Sequence, residues 1–173
     1  MYLKVSNNVT SMVDFVQLFY LMIPAYVANM APVFVRKFPW SAPVDFGTGL
    51  LGSHKTWRGF IAGVSAALIV GTVMSHVYWP FGFSGIKWGL AAGFGALLGD
   101  SVKSFFKRRL NISPGKPWIP FDQIDYSIGA IALGSFVFFT GWLNALIIII
   151  VSSAGHIIVN HIGYYLGIRE VKW

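Results

Sequence analysis

Asp100, Lys103, Ser104 and Lys107 stand at i, i+3, i+4 and i+7, so on a helix they share one face. Asp122 and Asp125 repeat the i, i+3 spacing one loop later. Carboxylates gathered among an excess of Lys and Arg have a definite chemical use. Their oxygens hold Mg²⁺ in an all-oxygen site, and the cations hold phosphate oxygens. Snorkelling explains Lys107 and Arg108 but leaves Asp100 unexplained, and a helix N-terminus explains only one of Asp122 and Asp125.

A second set reads Gly47-Thr48-Gly49-Leu50-Leu51-Gly52-Ser53-His54-Lys55-Thr56-Trp57-Arg58-Gly59. It lacks the Gly-Lys-Ser/Thr order of a Walker A loop. Its glycines can still present backbone N–H groups to phosphate, with Lys55 and Arg58 adding charge. His76, His156 and His161 show no metal-ligand spacing and read as packing or interhelical hydrogen bonding. The chain has no cysteine, which excludes disulfides, thiolate metal sites and Cys nucleophiles.

These residues need a scaffold, and the composition says which. Of 173 residues, 55% are hydrophobic and only 11% charged, against about 25% charged in a soluble domain. Mean hydropathy is +0.65. Stretches free of Asp, Glu, Lys and Arg are long enough for crossings of roughly 20 residues each. They predict a single all-α, polytopic integral membrane domain over residues 1–173, with five transmembrane helices at about 15–35, 59–79, 87–107, 124–140 and 143–166. The third holds only if its helix continues through Asp100 and Lys103. The seven Trp all fall near these edges, where amphipathic rings prefer the interface.

Of the 13 Lys and Arg, all but Lys4 and Lys87 fall in loops 36–58 and 108–123, in the adjoining end of span three, or in the tail. By the positive-inside rule those loops and the C-terminus are cytoplasmic and the N-terminus is outside. The net charge of +7 would suggest nucleic acid in a soluble protein. Here it points to anionic lipid or phosphate instead, with no nucleic acid partner. Gly89, Gly93, Gly95 and Gly99 predict close helix packing in span three. Pro24 and Pro32 predict a span that is kinked or opened around Asn29.

The two loops together resemble a known family. Gly99-Asp100, Ser104-Phe105-Phe106-Lys107-Arg108, Pro114-Gly115 and Asp122-Gln123-Ile124-Asp125 resemble the signature of CTP:phosphatidate cytidylyltransferases. Ser53-His54-Lys55-Thr56-Trp57-Arg58-Gly59-Phe60 resembles their upstream Ser-Pro-x-Lys-Thr-x-Glu-Gly segment. The match covers about 50 residues in two blocks, with order, spacing and membrane context in agreement. Departures exist: Pro114-Gly115-Lys116-Pro117-Trp118 replaces a Pro-Gly-His-Gly-Gly stretch, Arg58 a Glu, and Gln123 an Arg. Those departures and the short chain, with Pro24-Ala25-Tyr26-Val27-Ala28-Asn29-Met30-Ala31-Pro32 in span one, look like the archaeal branch, which makes CDP-archaeol.

The resemblance implies a Mg²⁺-dependent transfer. CTP and an isoprenoid ether phospholipid, unsaturated archaetidic acid, would give CDP-archaeol and pyrophosphate at the cytoplasmic membrane, with the active site facing the cytoplasm. It implies metal ligation by Asp100, Asp122 and Asp125. Lys55, Arg58, Lys103, Lys107, Arg108 and Lys116 would hold phosphates, and Ser53, Thr56 and Ser104 would bond to phosphate or base. Asn29 would reach the same cavity. Two alternatives use the same residues. A CTP-dependent polyprenol or dolichol kinase would release CDP, and a transporter of phosphorylated solutes would move substrate without making product.

Overall fold

The computed structural model describes residues 15–52, 54–113 and 116–167. They form five α-helices in chain order: α1 Phe15–Phe34, α2 Trp57–Val77, α3 Gly85–Arg109, α4 Phe121–Gly134 and α5 Trp142–Tyr165. α1, α2 and α5 are long and apolar enough to cross a membrane. Large apolar side chains such as Ile61, Ile69, Val73, Leu146 and Ile150 point outward, as lipid-facing residues do.

Two sequence expectations change here. The fourth span was expected over 124–140, but α4 has only 14 residues and ends at Gly134. At 1.5 Å per residue it reaches about 21 Å, short of the roughly 30 Å hydrocarbon thickness. The chain leaves the helix because the N–H groups of Phe136 and Val137 turn back to the carbonyls of Leu133 and Gly134, at 3.2 and 2.8 Å. Of the kink or opening expected around Asn29, the opening does not occur: α1 is one continuous helix through both Pro24 and Pro32.

α3 is the hub, packed against α1, α2 and α4, while α5 lies on α4 and α1. The core joins Leu21, Met22 and Ala25 of α1 to Trp88, Ala92 and Ala96 of α3, with Tyr126 and Ala130 of α4. Trp88 is fully buried, and its indole N–H donates to the Leu21 carbonyl at 2.7 Å. That bond satisfies the one polar group of a large apolar residue.

The glycines of α3 are used as their spacing predicts. A Cβ on Gly95 or Gly99 would run into the backbone of Gly129 or Asp125 on α4. On Gly129, a Cβ would meet the backbone of Gly95 and Gly99. The two helices therefore touch backbone to backbone along this seam. Gly129→Ala is expected to force them apart and cost about 1–3 kcal/mol of stability. Gly155→Ala on α5, where no atom lies within 4 Å, is expected to cost nothing. Thermal unfolding in detergent checks the pair, and equal behaviour would remove the seam as a determinant.

Candidate functional site

The α3–α4 seam sets the site. It holds the last turns of α3, with Asp100, Lys103 and Lys107, against the first turn of α4, with Asp122 and Asp125. Lys103 Nζ lies 3.1 Å from Asp100 Oδ1, 2.9 Å from Asp122 Oδ1 and 3.1 Å from Asp125 Oδ2. Three carboxylates thus share one ammonium, with every side chain mostly buried. Lys107, itself buried, donates to both oxygens of Asp122 at 3.0 Å and to the Lys116 carbonyl at 2.6 Å. Asp122 also accepts from the Trp118 N–H at 2.5 Å. Burial alone would raise the Asp122 pKa. The charge of Lys103 and the hydrogen bonds from Lys103, Lys107 and Trp118 outweigh that and hold it below the usual carboxylate range.

Lys55 arrives from the other loop and pairs with Asp100 Oδ2. A short antiparallel bridge between Pro43 and Thr56 holds it there, with the Val44 N–H on the Lys55 carbonyl at 2.9 Å. Burial, then the nearby ammonium of Lys103, pushes the Lys55 pKa down to about 7. Its charge at neutral pH therefore depends on an anion being beside it.

These groups line a cavity of about 310 Å³. Asn29, Lys55, Thr56, Lys116 and the Asp100–Asp125 cluster all reach its wall. Thr56 has a second task, capping α2 by accepting from the Gly59 N–H at 3.3 Å.

Other candidates lie elsewhere. Arg58 donates to the carbonyls of Phe38 and Arg36, the latter at 2.8 Å, and so ties the loop to the start of α2. Ser104 is buried and donates to the Asp100 carbonyl at 2.8 Å, one turn back in its own helix. Arg108 leans on Gly52 and lines a separate hollow with Thr48, Gly49, Leu50, Phe105 and Arg109. Ser53, Pro114 and Gly115 fall outside the described residues.

The glycine loop also differs from its expected use. Gly47, Gly49 and Gly52 all have positive φ. Yet the Gly47 and Leu51 N–H groups donate to the Asp45 carboxylate, at 3.2 and 3.0 Å. The loop supplies its own anion.

Sequence reasoning missed several lining residues, among them the polar Ser101 of α3 and His156 and Asn160 of α5. Asn160 is 2% exposed, and its Oδ1 has no hydrogen-bond partner among the described residues. The available signal was an amide within an apolar span, which is costly unless it is used. Gln123, standing where the resemblance expects Arg, is buried outside the cavity lining, with neither side-chain amide atom partnered among the described residues.

A cavity walled by lysines and carboxylates at one end of a helical membrane bundle suits a polyanion and a metal together. Comparison with known proteins agrees with that chemistry. A family model described as CarS-like CDP-archaeol synthase matches residues 10–173. The CDP-archaeol synthase of Thermococcus kodakarensis is 37% identical over 164 residues, covering 90% of this chain and 94% of that protein. That of Thermofilum pendens is 36% identical over 163 residues, covering 88% and 78%. That of Methanospirillum hungatei is 35% identical over 173 residues, covering 88% and 100%. A solved structure described as an intramembrane enzyme for archaeal membrane lipid biosynthesis aligns with a TM-score of 0.75 at 30% identity, over 85% of this chain and 94% of its own.

Proposed function

This chain belongs to the CDP-archaeol synthase family, and from that membership we propose how its lysine–carboxylate cavity carries out the transfer. The reaction is cytidylyl transfer in archaeal membrane lipid synthesis. In our reading a phosphate oxygen of unsaturated archaetidic acid attacks the α-phosphorus of CTP. The bond to the β-phosphate oxygen breaks, and pyrophosphate leaves as CDP-archaeol forms. The nucleophile is already an anion and needs no strong base. The barrier is the approach of one anion to another, which positioning and fixed positive charge lower.

The observation that carries this reading is the shared Lys103 ammonium. The lysines and carboxylates of the cavity satisfy one another. A triphosphate gives Lys55, Lys103, Lys107 and Lys116 new oxygens to bind, and frees carboxylate oxygens as it does so. Those oxygens form a hard, all-oxygen donor set, which fits Mg²⁺. Among the described residues no three such groups stand together ready for a metal, and lysine nitrogens lie on Asp100 and Asp125. Asp100 and Asp125 would hold the ion. Asp122, with both oxygens committed to lysines and the Trp118 N–H, completes the acidic set and keeps Lys103 and Lys107 in place. When bound, Mg²⁺ neutralises the charge developing on the leaving pyrophosphate.

CTP enters from the cytoplasm, and the lipid headgroup comes laterally along the helices. The lysine-rich loops support that orientation by the positive-inside rule. With purified protein, CTP, Mg²⁺ and archaetidic acid, CDP-lipid and pyrophosphate are expected in equal amounts. Release of CDP with a phosphorylated alcohol instead would identify a kinase. Lys55→Ala is expected to raise the KM for CTP about tenfold or more, with the lipid KM little changed. Unchanged CTP affinity would remove Lys55 from the triphosphate site.

A further inference from the structure

The cavity wall is divided by element. Its lysines and carboxylates come from α3, α4 and the loops, whereas the polar side chains that α1 and α5 bring to it are Asn29, His156 and Asn160. Asn160 differs from its neighbours in one respect. It is 2% exposed and lines the cavity, yet its Oδ1 is a buried acceptor with no donor among the described residues. Buried polar atoms are normally bonded, and an orphan acceptor on a side chain that lines a ligand cavity is a place for a ligand donor.

The chemistry of the two substrates narrows which donor that is. This step rests on the reaction proposed above. Ionised phosphates present acceptors, and the lysines already serve those. An ether phospholipid acid carries no N–H, and no O–H beyond its phosphate. The remaining donors are the exocyclic amine of cytosine and the ribose hydroxyls of CTP. We propose that Asn160 recognises the nucleoside half of CTP, its Oδ1 accepting from one of these donors while the lysine wall takes the triphosphate. The nucleoside then lies towards α5 and the phosphates towards α3.

Nucleotide binding measured without lipid tests this directly, using the full chain in detergent with CTP, UTP and dCTP. Asn160→Leu keeps the heavy-atom count and branching of the side chain and removes the acceptor. It is expected to weaken CTP binding about tenfold and to leave inorganic pyrophosphate binding unchanged. If the amine is the donor, the preference for CTP over UTP collapses. If the 2′-hydroxyl is the donor, the preference for CTP over dCTP collapses. Asn160→Ala, smaller and without an acceptor, gives the same reading if the Leu variant does not fold. Unchanged CTP affinity in the folded variant overturns the proposal, as does equal loss of CTP and pyrophosphate binding. Binding is read apart from turnover. Wild-type protein that binds CTP but forms no CDP-lipid would therefore count against the reaction and not against Asn160.

Discussion

Lys103→Met is expected to abolish turnover and to destabilise the fold more than any other single change at the site. The ammonium it removes is shared by Asp100, Asp122 and Asp125 at 2.9–3.1 Å. Methionine keeps much of the packing of the stem but leaves three crowded carboxylates short of a cation. Breaking a buried pair in this way costs about 3–5 kcal/mol, because the surviving charges stay buried and uncompensated. Activity falls as well, since the same ammonium is a phosphate ligand in the proposed reaction. A second substitution separates the two effects. Lys103→Met combined with Asp122→Asn relieves the excess negative charge, so it is expected to recover part of the unfolding temperature and none of the turnover. Thermal unfolding and CDP-lipid formation measured on the same samples decide it. Recovery of activity along with stability would make Lys103 a purely structural residue.

Asp100→Asn and Asp125→Asn are expected to give the opposite pattern, large in rate and small in stability. Each removes one carboxylate from a group that still has acidic partners, so Lys103 is never left unpaired. Asparagine has the same shape and can still accept from the lysines. What is lost is a full negative charge where a hard cation must be held. A loss of about 10²–10³ in turnover is expected, the scale seen when one charge-stabilising group is removed. The unfolding temperature should move by only a few degrees. Raising the Mg²⁺ concentration is expected to restore part of the lost rate. Near-normal turnover in either variant would remove the metal assignment, and a response indifferent to Mg²⁺ would move that carboxylate to a purely lysine-holding role.

Four of the five helices were legible because their ends are marked by charge, Trp or a cap. The expected third span depended on a helix continuing through Asp100 and Lys103, and α3 does continue, to Arg109. α4 was misjudged because hydropathy cannot distinguish a short helix followed by an apolar turn from one long helix. Phe136 to Phe139 are as apolar as a span but are not helical. The carboxylate–lysine cluster was legible because i, i+3 and i+4 spacing survives folding as a shared face. Arg58 and the glycine loop were not, because their partners, the carbonyls of Arg36 and Phe38 and the Asp45 carboxylate, are set by loop geometry. Asn160 and His156 reach the cavity through the rotation of α5, which its nearly uniform apolar sequence does not encode.

The backbone contact of Gly95 and Gly99 with Gly129 bears on how a substrate gets in. It fuses α3 and α4 into one rigid jaw that carries Asp100, Lys103, Lys107, Asp122 and Asp125. Among the described residues, the one lysine bonded to this cluster from outside the jaw is Lys55, on a strap fastened by a bridge at Pro43 and Thr56. Motion that admits a nucleotide therefore costs least at the strap, where one ion pair and two backbone hydrogen bonds are exchanged. Most of the charged cluster is held ready before any substrate arrives, and the entropy of assembling the site is concentrated in one lysine.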